Sequence, residues 1–326
     1  MMRILFKRKE ILLLLVFAIS YMGCDTKNEV EADIDQINAD FELIRFDKIF
    51  GSASASDLPA LKQNYPLFFP KMYHDSVWKA KMNDTLQIQL NQAVLEVFPS
   101  EEKLEDELHA LFQHIDYYFP EFKIPTVYTT TSDVDYRTRI IATDSILIIE
   151  LDTYLGSDHP FYQGISKYIV NNMRPGMIAQ DVATAYSKRF IEVPRTRRLL
   201  DQMVYFGKQL YLKDLWVPRT PDHEKIGYSE AEFQWALDNE QYIWRHFVEN
   251  ELIYSNEPKL SGRFIDPAPF SKFNLEIDNE SPGMVGRFIG WMIVRSYVKN
   301  NDVSLDQLMR ISPDELYKNS KYKPRK

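Results

Sequence analysis

The chain has 326 residues, 45% of them apolar, 26% charged and 13% aromatic, with a formal charge of −8. This is the composition of a folded globular protein, with too many aromatics for a disordered one. The acidic balance argues against a nucleic-acid partner, whose phosphates need a basic surface. The single Cys excludes a disulfide framework, a CxxC zinc site and an iron–sulfur cluster on four thiolates.

Residues 1–24 read MMRILFKRKEILLLLVFAISYMGC. Arg3, Lys7, Arg8 and Lys9 form a basic start, and Ile11 to Ile19 an unbroken apolar run. That run is too short to span ~30 Å of hydrocarbon and has the length of a signal-peptide core. Gly23-Cys24 at its end resembles a bacterial lipobox, with Tyr21 departing from the usual Leu. The resemblance implies a diacylglycerol on the Cys24 thiol and cleavage that leaves Cys24 as the mature N-terminus. Removing 1–23 takes away four of the 39 basic residues and one of the 47 acidic, for a balance of −11. An anionic membrane would repel such a body, so the lipid would have to hold it there. Residues 24–40 are acidic and aperiodic, which predicts a flexible tether.

Beyond the tether, FELIRFD (41–47) has the pattern of an early strand, followed by a short helix over 58–64 and the aromatic cluster Leu67-Phe68-Phe69. Helical spacing covers 84–98 and 101–118, parted by Pro99. The period then changes. Segments 126–131, 136–143 and 145–151 are β-branched, aromatic and close together, as in one small sheet, and SILIIEL is apolar enough for a central strand. The rest is helical: 195–212, opened by Pro194, then 229–253, with a capping box from Ser229 and Glu232. A third helix, with Ser281 as N-cap and Pro282 in its first turn, runs to about Val298. It is apolar nearly all round, which predicts a core helix, and Gly286 and Gly290 predict close approach of another backbone. The expected neighbour is the helix carrying Asp201 to Tyr205. Short helices near 304–308 and 313–317 and a basic, solvated tail KNSKYKPRK complete the chain. The order predicts an α+β fold, with a mainly helical cap over 41–120 and a core over 121–326 forming one compact unit.

Five segments carry a family resemblance: ATDSILIIELDTYLG (142–156), YFGKQLYL (205–212), NEQYIWRHFVENELIY (239–254), APFSKF (268–273) and DNESPGMVGRFIGWMIVRSY (278–297). Together with the lipobox they resemble the gliding motility lipoprotein GldB family of Bacteroidota, over residues 120–326. That family in turn resembles gluzincin-type zinc proteases. The likeness implies a degenerate zincin-like architecture: a sheet, an HExxH helix and a later helix bearing a zinc-binding Glu.

At the HExxH positions this chain has Asp201, Gln202, Met203, Val204 and Tyr205. A catalytic zinc needs three protein ligands, two of them His at i and i+4, with a Glu between them as base. Asp201 could donate an oxygen, but Tyr205 is a poor ligand and neutral Gln202 cannot take a proton from water. His223-Glu224 is followed by Gly227 where a second His would stand, and His109 and His114, five apart, misalign on a helix. On the helix from Ser229 the stripe Phe233, Leu237, Glu240, Trp244, Phe247, Glu251 should be buried. Glu240 and Glu251 interrupt it, which is costly unless each has a partner. Two readings stay open. One of these acids occupies the third-ligand position and faces Asp201, or both form structural ion pairs with Arg287, Arg295 or the arginines of 195–198.

Asp201, Gln202, Tyr205, Glu240 and Glu251 are therefore candidates for a vestigial site, with no metal, no cofactor and no hydrolytic activity. No P-loop, GxSxG or GxGxxG occurs. The resemblance implies a non-catalytic lipoprotein of the periplasmic side of the cell envelope, anchored by lipid on Cys24 and in contact with other proteins of the motility and secretion machinery. The alternatives are a zinc metallopeptidase with an atypical ligand set, and a glycan-binding surface lipoprotein using its many aromatics, most of which sit at core spacing.

Overall fold

The computed structural model describes residues 25–275 and 278–325. The leader 1–23 and the lipid acceptor Cys24 lie outside the described residues. Among those described, no helix is long and apolar enough to cross a membrane.

Helix α1 (Asp25–Ile34) occupies the stretch read as a flexible tether. Ile34 and Ala39 are fully buried, and Gln113 Nε2 donates to Ile37 O at 2.9 Å. The acidic composition of the segment hid these few apolar anchors, which fasten its second half to the body. Strand β1 (Leu43–Arg45) is shorter than its pattern, because Phe46 opens α2 (Phe46–Gly51). Arg45 donates from Nε and Nη2 to Asp47 at 2.9 and 2.7 Å, and Thr129 donates its hydroxyl to the same carboxylate. Buried together, these groups pin β1 to its neighbour. Next come α3 (Leu58–Asn64), α4 (Asp75–Met82), α5 (Thr85–Val97) and α6 (Glu102–Tyr118). Asp84 caps α5, accepting from Gln87 N at 2.8 Å, as its position before an amphipathic run requires.

The sheet contains β2 (Thr126–Thr130), β3 (Ile140–Ala142) and β4 (Ile146–Glu150), in the order β1-β2-β4-β3. The first three strands in that order are parallel and β3 is antiparallel to β4. The SILIIEL segment is thus an interior strand. Val127 pairs with Leu147 and Thr129 with Ile149, and all four are completely buried. Tyr128, pointing the other way, meets Phe68 edge-on at 5.5 Å, and Phe68 stacks on Phe46 at 3.9 Å. A second, smaller apolar cluster of Phe46, Leu58, Leu61 and Phe69 collects there.

The remainder is helical: α7 (Lys167–Val170), α8 (Ile178–Phe190), α9 (Leu199–Trp216), α10 (Asp222–Ile226), α11 (Glu230–Asp238), α12 (Glu240–Glu249), α13 (Lys259–Phe264), α14 (Val285–Asn300), α15 (Leu305–Arg310) and α16 (Pro313–Ser320). The architecture is α+β. Boundaries differ from the sequence pattern: the strand expected over 136–143 is confined to Ile140–Ala142, and α9 runs on to Trp216. Helix α9 starts at Leu199, not at 195, because Arg198 is extended (φ −58°, ψ 150°); the first free N–H groups donate to Ser255 O and Ile253 O at 3.1 and 2.9 Å. The predicted long helix from Ser229 breaks at Asn239 into α11 and α12, while its capping box is present. Helix α14 begins at Val285 instead of Pro282. Ser281 donates its hydroxyl to Asp278 O at 2.7 Å, and Met284 takes a left-handed conformation (φ 59°).

Helices α9 and α14 form the centre of the core, as the two glycines predict. A Cβ on Gly290 would overlap Met203 O and stand 2.9 Å from Met203 Cα; a Cβ on Gly207 would overlap the Gly290 carbonyl and lie 2.8 Å from Trp291 N. Gly286 gives Phe264 O the same access, at 2.9 Å. Further along, Arg295 grips Asp214 of α9 (2.8 and 2.6 Å) and Asp222 of α10 (2.7 and 2.9 Å). Trp291 Nε1 donates to Asp214 at 2.9 Å and its ring lies under Arg295, 3.8 Å from the guanidinium carbon.

Candidate functional site

Asp201 and Tyr205 of α9 line a cleft of about 330 Å³ between the start of that helix and the α15–α16 corner. Asp201 is only 2% exposed and is fully engaged. Arg198, one turn back, donates to it from Nε and Nη2 at 3.1 and 2.7 Å, and Thr196 donates its hydroxyl. The same guanidinium donates to Asp314 of α16 at 3.1 and 2.7 Å. A carboxylate with these donors is a structural anchor joining α9 to the C-terminal helices. Its position in the first turn also places negative charge against the positive end of the helix.

Of the other vestigial-site candidates, only Tyr205 shares this cleft. Gln202 turns outward, and its amide donates to Arg197 O at 3.0 Å. Tyr205 lines the cleft half-buried, and burial raises its hydroxyl pKa. Glu240 is buried at the start of α12, where Tyr322 of the C-terminal tail donates to it at 2.7 Å and Arg325 approaches to 3.8 Å. Burial raises the pKa of Glu240, against the lowering effect of Tyr322 and Arg325. Glu251 is exposed, in a turn with φ 56°, so it belongs to no buried stripe. The break at Asn239 and the end of α12 at Glu249 shift the register that had placed it there.

Neither open reading of these acids survives intact. The residue paired with the 195–198 arginines is Asp201, while Glu240 finds its partners in the tail. Arg295 is committed to Asp214 and Asp222, and Arg287 donates to Ile265 O at 2.7 Å. The tail is correspondingly not free in solvent: Tyr322 packs edge-on against Trp244 at 5.3 Å. His114 is buried beside Glu31 at 3.6 Å, and Glu224 pairs with Arg174 at 2.7 Å. Among the described residues no group of three or more His, Cys, Asp or Glu is arranged to hold a metal ion.

The cleft also contains Lys208, which sequence reasoning passed over. Burial pushes its ammonium down to about 8, and it donates to Met309 O and Ile311 O at 3.0 and 2.8 Å. These carbonyls end α15, so the lysine caps that helix from outside. Its signal was present in YFGKQLYLKDLW, where Lys208 and Lys213 interrupt an apolar helix that a solvated face would not explain.

The scaffold is α+β, and the start of α9 is tied to α16 through the Asp201–Arg198–Asp314 ion pairs. The chain belongs to the family described as gliding motility protein GldB, whose model matches residues 27–324. That membership points to a gliding motility lipoprotein of the cell envelope. Neither the search of curated proteins nor that of solved structures returned a match. The zincin-like architecture that the sequence resemblance implied therefore has no support from a structural relative.

Proposed function

We propose that this protein is a lipid-anchored component of the gliding motility apparatus that works without catalysis. It faces the periplasm, is attached through a lipid on Cys24, and acts by contact with other proteins of the motility and associated secretion machinery. Family membership over nearly the whole chain supports the motility assignment. The sole thiol, placed after a basic and apolar leader, supports the anchor.

The observation that carries the non-catalytic reading is the state of Asp201. Its oxygens are occupied by Arg198 and Thr196, and the neighbouring side chain, where a base would be needed, is the neutral amide of Gln202. Hydrolysis by a metal-bound water needs ligands with free lone pairs and a group able to hold the proton. The test is metal content by mass spectrometry on full-length protein purified without chelators, paired with a casein cleavage assay. The expected result is neither zinc nor cleavage. Near-stoichiometric zinc, with cleavage lost in Asp201→Ala, would overturn the reading.

A further inference from the structure

A second cavity, of about 440 Å³, lies between α8, the α10–α11 turn, the later part of α9 and the start of α14. Its volume is within the range of small-molecule sites. Five cationic side chains line it: Arg137 and Arg139 from the approach to β3, Lys213 from α9, Lys225 from α10 and Arg287 from α14.

The carboxylates on its walls are already engaged. Asp181 takes Arg139 at 2.9 Å and the Tyr154 hydroxyl at 2.8 Å, Glu224 takes Arg174 at 2.7 Å, and Glu232 closes the capping box with Ser229. Lys225 is paired with Asp214 and Asp222, and Arg137 is exposed; that leaves Lys213 and Arg287 as cations withdrawn from solvent without an ion pair among the described residues. Lys213 is 7% exposed, and its ammonium donates only to Lys225 O, at 2.8 Å. Arg287 uses Nε on Ile265 O at 2.7 Å and lies over the Phe206 ring, 3.9 Å from its centre. Its two terminal nitrogens have no protein acceptor among the described residues.

Burial pushes the Lys213 ammonium down to about 8; the charge of Asp181 works against this, and the positive charges of Arg287, Arg139 and Lys225 add to it. Burial likewise pushes Arg287 down to about 10. Two desolvated cations that repel one another beside an open volume are costly to the fold unless an anion enters. A planar guanidinium with both terminal groups free matches the paired oxygens of a carboxylate or phosphate. The walls add Tyr136 and Tyr168, apolar rings with polar tips suited to the body of an organic molecule.

We propose that this cavity binds a small organic anion through a carboxylate or phosphate group held between Arg287 and Lys213. Such a site goes beyond the anchoring and contact role, and would make the protein's state depend on a soluble periplasmic ligand.

The test is thermal unfolding and calorimetric titration of the detergent-solubilised full-length protein with inorganic phosphate and, separately, acetate, each against sodium chloride of equal ionic strength. At least one anion should raise the melting temperature saturably beyond chloride, and which one does so identifies the group recognised. Lys213→Met should melt higher than wild type without anion and lose the response. Arg287→Lys, which keeps the charge but not the fork, should fold and bind at least tenfold more weakly. A wild type that responds to neither anion beyond chloride, or variants that respond as wild type does, would overturn the proposal.

Discussion

Gly207 and Gly290 face each other where α9 and α14 cross, with no room for a single methyl group on either. A Cβ on Gly207 would lie 2.8 Å from Trp291 N, and one on Gly290 2.9 Å from Met203 Cα. Backbone-to-backbone contact at this crossing sets the distance between the two helices that carry Asp201, Lys208, Lys213 and Arg287. The geometry of both cavities follows from it.

Gly290→Ala should therefore destabilise the protein by about 1–3 kcal/mol, because backbone atoms cannot yield as a flexible side chain can. Gly262 on α13 is the control, since a Cβ there meets nothing within 4 Å. Gly262→Ala should be neutral or stabilising by up to ~1 kcal/mol, from helix propensity alone. Chemical denaturation of the two variants checks this, and equal midpoints would contradict the packing.

The two acids on Arg198 should differ in weight. Asp314 is half exposed, so Asp314→Ala should cost no more than ~1 kcal/mol. Asp201 is buried and accepts from both Arg198 and Thr196, so Asp201→Ala should cost about 1–3 kcal/mol by removing those bonds and leaving the Arg198 Nε without its carboxylate. Urea unfolding reads both, and a larger loss for Asp314 would reverse the assignment of the anchor.

Glu150 gives the fold a pH dependence. Burial, followed by the charge of Asp152, pushes its carboxyl up to about 8, and one oxygen has no hydrogen-bond partner. A folded-state pKa above the unfolded one means that the folded chain holds the extra proton between pH ~4.5 and 8. The stability this confers is complete below that window and is lost as pH rises through it, by a few kcal/mol at most, on the order of the shift. Glu150→Gln should remove the slope, so the variant gains on wild type between pH 5 and 8 in denaturant midpoint. Parallel pH profiles would contradict this account.

Tyr322 should anchor the tail. Its hydroxyl donates to buried Glu240, whose other oxygen lacks a hydrogen-bond partner. Tyr322→Phe should cost about 1–2 kcal/mol while leaving the ring's packing on Trp244 in place. Ending the chain after Ser320 should cost more than that. Limited proteolysis and melting curves measure both.

Much of this architecture is legible in local pattern. The period change near residue 126, the apolar SILIIEL strand and the Gly286–Gly290 spacing each encode a feature that packing then realises, down to the neighbour of α14. What the sequence conceals is where backbone groups find partners far along the chain. Ser255 and Ile253 carbonyls take the first N–H groups of α9, and the left-handed Met284 precedes the start of α14. The site was harder still. Glu240 and Glu251 look equivalent on a helical wheel, yet the break at Asn239 buries one against Tyr322 and exposes the other. Lys213 and Arg287 meet only through the crossing of two helices seventy residues apart, a relation that no local pattern contains.

The most direct measurement of the central claim is complementation of gliding. In cells lacking the gene, spreading would be scored with wild type, Gln202→Ala and Cys24→Ala at matched protein levels. Gln202 is the residue that the protease resemblance would align with a base, and its side chain donates to Arg197 O, so Gln202→Ala should restore spreading fully. Cys24→Ala, without its lipid acceptor, should leave the membrane fraction and fail to restore it. Loss of gliding in Gln202→Ala, or full rescue by an unanchored Cys24→Ala, would contradict a lipid-anchored protein that acts without catalysis.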